Sequence, residues 1–186
     1  MRTRRTAPED DPLRVLFVCT ANISRSPYAE RRAQQLSKGA RASQFSSAGV
    51  SGAPWQAMDP AMALELNDRG GSSIGHVSRA LSRDILKGVD VVITVEFAHR
   101  MRILERWPEH ALKVFGLKQL AKAGGQVPAG IHGLAGLDAA LRVAPPDNLS
   151  FDLADPYKRG AKAAAACANE IDRCLELILP LLGGYK

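Results

Sequence analysis

Cysteine is scarce in this chain, with Cys19, Cys167 and Cys174 the only three in 186 residues. An odd and sparse set does not make a disulfide framework and fits reduced thiols in a cytosol. Histidine is nearly as thin: His76, His99, His110 and His132 lie far apart, none with a cysteine or histidine at ligand spacing, so neither a metal nor a cofactor is implied. Aromatic residues make up 5%, which leaves few stacking platforms for nucleic acid. The net charge of +6 is spread among acids, apart from a short arm of Arg2, Arg4 and Arg5, and reads as a solvated basic surface that also attracts anionic substrates. No apolar run approaches the ~20 residues of a bilayer span, so no membrane insertion is expected. The opening "MRTRRTAPEDDP" lacks the apolar stretch of a secretory signal. Residues 1–12 are therefore expected to be a disordered tail and the protein cytoplasmic.

What the chain does contain is an alternation of buried strands and helices. "RVLFVC" (14–19) is continuously apolar and rich in β-branched residues, the mark of a strand buried on both faces in a parallel sheet. Ser26 followed by Pro27 predicts a helix start, with the helix running to about Ser37. "QFSSAGV" (44–50) predicts the second strand. "MDPAMALELNDRGG" predicts a helix with Asp59 as cap, Pro60 first, and Gly70 and Gly71 as its exit. "VDVVITV" (89–95) predicts the third strand, "FAHRMRILERW" a helix and "LKVFGL" (112–117) the fourth strand. The expected fold is α/β, a doubly wound four-stranded parallel sheet with helices on both faces, in a single domain over 13–186. Between about 122 and 149 the pattern loosens into Gly, Pro and Ala, read as a variable insertion over the sheet edge with one short helix near 134–142. The alanine-rich C-terminal segment places Ile171, Leu175, Ile178 and Leu182 on one helical face.

Ligands in such folds bind beyond the carboxyl ends of the strands, and the first strand delivers Cys19 there. The loop behind it, "CTANISRS", runs straight into a helix N-terminus. Its amides, from Thr20, Ala21, Asn22, Ile23, Ser24, Arg25 and Ser26, can converge on an anion while the helix dipole and Arg25 add positive potential. A thiolate beside a cation at a helix N-terminus is the stabilised form, so Cys19 is a candidate nucleophile. Ser26 can donate to that thiolate, and Asn22 suits a left-handed turn.

C-x-x-x-x-x-R-S at the end of an apolar strand, followed by proline, resembles the low-molecular-weight protein tyrosine phosphatases. "SSAGV", "HVSRAL", "DVVITV" and "ADPY" resemble the family's second strand, histidine-bearing segment, third strand and acid loop. The resemblance implies metal-free hydrolysis of a tyrosine-phosphorylated protein or small aryl phosphate through a cysteinyl-phosphate. Cys19 would be the nucleophile, Arg25 the phosphate clamp and Asp155 the general acid, with Asp147 and Asp152 the competing carboxylates. Tyr157 and Trp55 would wall an aromatic slot, and His76 would orient Ser26. The chain departs from the family at Ala21, commonly glycine, where lost backbone freedom is expected to matter. It departs also at Ser24, often a second cysteine, and at Lys158 after "DPY". Two other readings remain, an arsenate reductase using Cys167 and Cys174, and a phosphate-recognition protein without turnover.

Overall fold

In the computed structural model the described residues are 12–37, 43–52 and 54–183. The expected tail falls almost wholly outside them. Four strands, β1 (Arg14–Cys19), β2 (Gln44–Gly49), β3 (Val91–Thr94) and β4 (Val114–Gly116), form one parallel sheet in the order β2-β1-β3-β4. Among the described residues seven α-helices accompany them: α1 (Arg25–Leu36), α2 (Pro60–Asp68), α3 (Arg83–Lys87), α4 (Phe97–Arg106), α5 (Leu117–Gly124), α6 (Gly133–Val143) and α7 (Ala161–Leu181).

Alternation along the strands sorts the apolar side chains into two layers. Val15, Phe17, Val91 and Ile93 face the larger core, completed by α1, α2, α5 and α7, while Leu16, Val18, Val92 and Val114 face Leu86 of α3 and Ile103 of α4. The sheet is thus covered on both faces, as its unbroken apolar strands require. Ile171, Leu175, Ile178 and Leu182 are all buried on the larger side. Each such side chain contributes about 2 kcal/mol by leaving water.

Several expected boundaries shift for local reasons. β3 begins only at Val91, because the Val89 amide closes the turn after α3 onto Leu86 and the Asp90 amide bonds to Arg14. β4 shrinks to Val114–Gly116: Leu112 lies in a 3-10 turn (Pro108–Lys113), and Leu117 already opens α5, where the Gln119 side chain accepts the Gly116 amide. Ser26 does not cap α1. The helix starts one residue earlier at Arg25, and Pro27 occupies its third position, where a missing N–H still costs no intrahelical bond. In the 122–149 region α6 buries Leu137 and Ala140 in the larger core.

The order β2-β1-β3-β4 has its switch point between β1 and β3, and folds of this kind bind ligands there, beyond the carboxyl ends of the strands. The loops after those two strands carry Cys19 and Glu96.

Candidate active site

β1 ends on Cys19, buried at the floor of the loop, with its Sγ 3.2 Å from the Asn22 amide and 2.9 Å from Ser26 Oγ. Asn22 makes that geometry possible. Its φ of 59° is a left-handed turn that brings its own amide onto the Cys19 sulfur, and its side chain is fully buried and fully used. Because Asn22 Oδ1 accepts the Arg79 amide (3.0 Å), Nδ2 is the donor, to Ser26 Oγ (3.0 Å) and Ser47 Oγ (2.8 Å). Asn22 thus occupies a lone pair of Ser26 and leaves that hydroxyl's proton free for sulfur. Among the described residues the amides of Ala21, Ile23, Ser24 and Arg25 meet no acceptor, nor does the buried Ser24 hydroxyl. A run of unpaired amide donors leading into a helix N-terminus is suited to an oxyanion.

His76 Nε2 lies 2.8 Å from the Asn22 carbonyl oxygen. It does not meet Ser26 directly; its path to the serine runs through Asn22. His76 and Arg79 arrive on a segment that docks along β2, where the Gly49 amide bonds to Arg79 and the Leu81 amide to Gly49. The expected backbone cost at Ala21 does not arise there, since Asn22 is the left-handed residue. The Ala21 methyl has room because position 52 is glycine; a Cβ there would stand 2.8 Å from it.

Arg25 is buried and held from behind. Its Nη1 pairs with Glu96 Oε1 and donates to the Leu153 carbonyl (3.0 Å). Its Nη2 reaches Asp155 Oδ2 (3.2 Å) and Thr20 Oγ1 (3.5 Å), while Nε has no partner among the described residues. Nη1 is therefore anchored and Nε is open, so a bidentate anion on the Nε–Nη2 edge would take the place that the Asp155 carboxylate holds on Nη2.

Asp155 is the one expected acid at this guanidinium. Asp152 instead accepts the Phe97 amide (2.6 Å) at the start of α4, and Asp147 packs against Gly116 and bonds to Arg100 (3.5 Å). The acid loop is fastened to the sheet by the Leu153 amide, which donates to Val95 (2.9 Å). The Asp155 carboxylate is half open and accepts the Tyr157 amide (3.2 Å). Tyr157 is 41% exposed with the Lys158 amine 5.2 Å from its ring centre, whereas Trp55, with φ 69°, is 84% exposed. Cys167 and Cys174 are buried on α7, and burial pushes their thiols up to about 12 and about 11.

A family model of low molecular weight phosphotyrosine protein phosphatases matches residues 14–132. The chain belongs to this family. The low molecular weight protein-tyrosine-phosphatase Wzb of Escherichia coli (strain K12) is 33% identical over 100 residues, which take in 54% of this chain and 66% of Wzb. The chain thus spans just under two thirds of that relative. A protein-arginine-phosphatase of Geobacillus stearothermophilus is 32% identical over 108 residues, 58% of this chain and 71% of the relative. The solved structure of the YwlE arginine phosphatase from Geobacillus stearothermophilus superposes with a TM-score of 0.71 at 25% identity, covering 90% of this chain and 91% of that one.

Asp155 lies beyond the residues that the family model matches, so its place beside Arg25 is an independent structural observation. Two residues went unseen in the sequence. Glu96 and His99, at the start of α4, both reach the cradle, Glu96 at Arg25 and His99 at Thr20. The only signal available was their position just after the third apolar strand.

Proposed function

We propose that the protein is a metal-independent phosphatase acting on phosphotyrosine, in a protein or as a small aryl phosphate monoester, in the cytoplasm. The observation that carries this reading is the convergence of Cys19, Arg25 and Asp155 at the switch point, with Arg25 Nη2 3.2 Å from the Asp155 carboxylate.

In the first step Cys19 Sγ attacks phosphorus in line while the Nε–Nη2 edge of Arg25 and the loop amides from Thr20 to Ser26 take the equatorial oxygens. The bond from phosphorus to the tyrosyl oxygen breaks, and Asp155 gives that oxygen its proton. In the second step Asp155 takes a proton from water, the resulting oxygen attacks phosphorus, and the sulfur–phosphorus bond breaks. The Ser26 hydroxyl, oriented by Asn22 and through it by His76, donates to the departing thiolate. Tyr157 and Trp55 serve as walls for the substrate ring, Tyr157 from the acid loop and Trp55 from the loop before α2.

The likeness to protein-arginine-phosphatases supports a second reading, in which phosphoarginine occupies the same cradle. Buried, protonated Cys167 and Cys174 disfavour an arsenate relay, which needs thiols that ionise and exchange. The test is hydrolysis of para-nitrophenyl phosphate with and without a chelator, together with phosphotyrosine and phosphoarginine peptides. Expected are chelator-insensitive turnover, loss of activity in Cys19→Ser, a fall of about a hundredfold or more in Asp155→Asn on the phosphotyrosine peptide, and preference for that peptide. Preference for phosphoarginine would move the assignment to the second reading. Tight phosphate binding without turnover would make the protein a recognition module.

A further inference from the structure

His99 is a buried titratable residue that the two-step mechanism does not use. Its ring is 2% exposed, on the first turns of α4. Nε2 stands 2.9 Å from the hydroxyl of Thr20, the residue after the nucleophile, and 3.8 Å from Glu96 Oε2, while Nδ1 is buried with no partner among the described residues. The charged groups around it come from three elements: Glu96 and Arg102 on or beside its own helix, Arg25 from α1 and Asp152 from the acid loop. Burial disfavours the charged ring most strongly, Arg25 and Arg102 push the same way, and Glu96 and Asp152 offset part of it, so the imidazole is held neutral.

A neutral imidazole carries one proton. The carboxylate of Glu96 on the Nε2 side favours the proton there, and a bare buried Nδ1 is cheaper than an orphaned N–H in the same place. Nε2–H then donates to Thr20 Oγ1. Arg25 Nη2 can only donate, and it reaches the same oxygen at 3.5 Å. Both lone pairs of the Thr20 hydroxyl are thereby used, and its rotor is fixed from two sides. With Glu96 anchoring Nη1, the contacts close a ring of four residues, Arg25, Glu96, His99 and Thr20, around the guanidinium.

We propose that His99 is a positioning residue for phosphoryl transfer: by fixing the Thr20 hydroxyl it registers Arg25 so that the Nε–Nη2 edge meets the phosphate. The proposal rests on the phosphatase reading for its kinetic consequence, but its binding consequence stands without turnover. His99 touches neither substrate nor the reacting atoms; it acts through Thr20 and Arg25.

The test uses the full chain with His99→Phe, which fills the ring's volume without nitrogen, His99→Gln, which restores an N–H of similar reach, Thr20→Val, and the double variant His99→Phe with Thr20→Val. The affinity for inorganic phosphate is read by calorimetry, and kcat and KM for para-nitrophenyl phosphate are measured alongside thermal unfolding. Loss of a hydrogen bond that orients a charged group is expected to weaken phosphate binding about tenfold in His99→Phe and to lower kcat by a similar factor. His99→Gln should recover most of both, and adding Thr20→Val to His99→Phe should cost little more than either alone. Unchanged phosphate affinity and kcat in His99→Phe, or losses that multiply in the double variant, would overturn the proposal. If His99→Phe does not fold, His99→Gln and Thr20→Val decide: a Thr20→Val protein with wild-type affinity and kcat overturns it. A wild type that binds phosphate without turning over substrate would sink the hydrolytic reading while the affinity comparison still tests His99; a wild type that does not bind phosphate sinks both.

Discussion

Ser26 has one hydroxyl proton, and its neighbours decide where that proton goes. Asn22 donates into one lone pair from 3.0 Å, the Ala48 carbonyl is a distant 3.4 Å, and Cys19 Sγ waits at 2.9 Å. The Ser26 hydroxyl, inside the first turn of α1, is thus spent on sulfur, while the N-cap residue Ser24 makes no side-chain cap bond and its buried hydroxyl has no partner among the described residues. Cys19 is a buried thiol with small polar neighbours, and the loop from Cys19 to Ser26 holds no second cysteine. The other two cysteines are not ready partners, since burial pushes the Cys167 thiol up to about 12 and leaves little thiolate for exchange. Peroxide is therefore expected to carry Cys19 to the sulfenic acid without an intramolecular disulfide. Dimedone labelling and non-reducing peptide mass spectra check this, and a disulfide from Cys19 to Cys167 or Cys174 would refute it.

At the scale of elements, the two strands that present the site are clipped together at their opposite ends. Arg14 at the start of β1 gives Asp90 three bonds, from its amide (2.9 Å), Nε (3.0 Å) and Nη2 (2.8 Å), and takes the Asp90 amide in return (2.8 Å). Burial alone would raise the Asp90 carboxyl, but the bonds from Arg14 outweigh it and hold the group below its ordinary value. A depressed carboxyl adds stability above its unfolded pKa of about 4, and that contribution fades as pH falls through the folded value. Asp90→Asn is expected to cost about 1 kcal/mol at neutral pH, a figure already discounted for the partly exposed arginine. The gap to wild type should narrow as pH falls below about 5 and close as it passes through the depressed folded value. Denaturant unfolding across that range measures it, and a gap independent of pH would contradict the assignment.

Elements with strong local grammar were legible: β1 as an unbroken apolar run, α2 with Asp59 accepting the Met62 amide behind Pro60, and α7 with its single apolar stripe. α5 was not, because Leu117 follows a strand without a break in hydrophobicity, and the only stop is a glycine whose amide is taken by a side chain three residues on. α3 is five residues long and shows itself in the sequence by little beyond Ser82, which accepts the Ile85 amide. In the site, Cys19, Arg25 and Ser26 were readable because they sit in one contiguous loop. Glu96 and His99 were not, because their meeting with that loop is made by the pairing of β1 with β3 and leaves no local mark.

The whole molecule is arranged to bring two distant segments to one point. The helix after the Cys19 loop and the helix after the Asp155 loop are tied together by Tyr28 of α1, whose hydroxyl donates to Asp172 of α7 (3.0 Å), with Arg32 and Arg69 on the same carboxylate (3.2 Å each). Burial and the Asp172 charge keep that phenol protonated far above its ordinary range. Through this tie the part of the chain beyond residue 132 is registered against the loop after β1, and Asp155 comes to Arg25. No helix among the described residues is long and apolar enough to cross a membrane, and none of their His, Cys, Asp and Glu side chains gathers into a metal cluster. In the proposed reaction Cys19 carries the phosphoryl group between the two steps. The most direct test of that role is to quench the Asp155→Asn variant in acid during turnover of para-nitrophenyl phosphate, whose leaving group needs little protonation, and to map the phosphoryl group by peptide mass spectrometry. One phosphoryl group is expected on the peptide bearing Cys19, accumulating because the carboxylate proposed to activate water is gone. Undiminished turnover with no phosphoryl group on that peptide would contradict the proposed reaction.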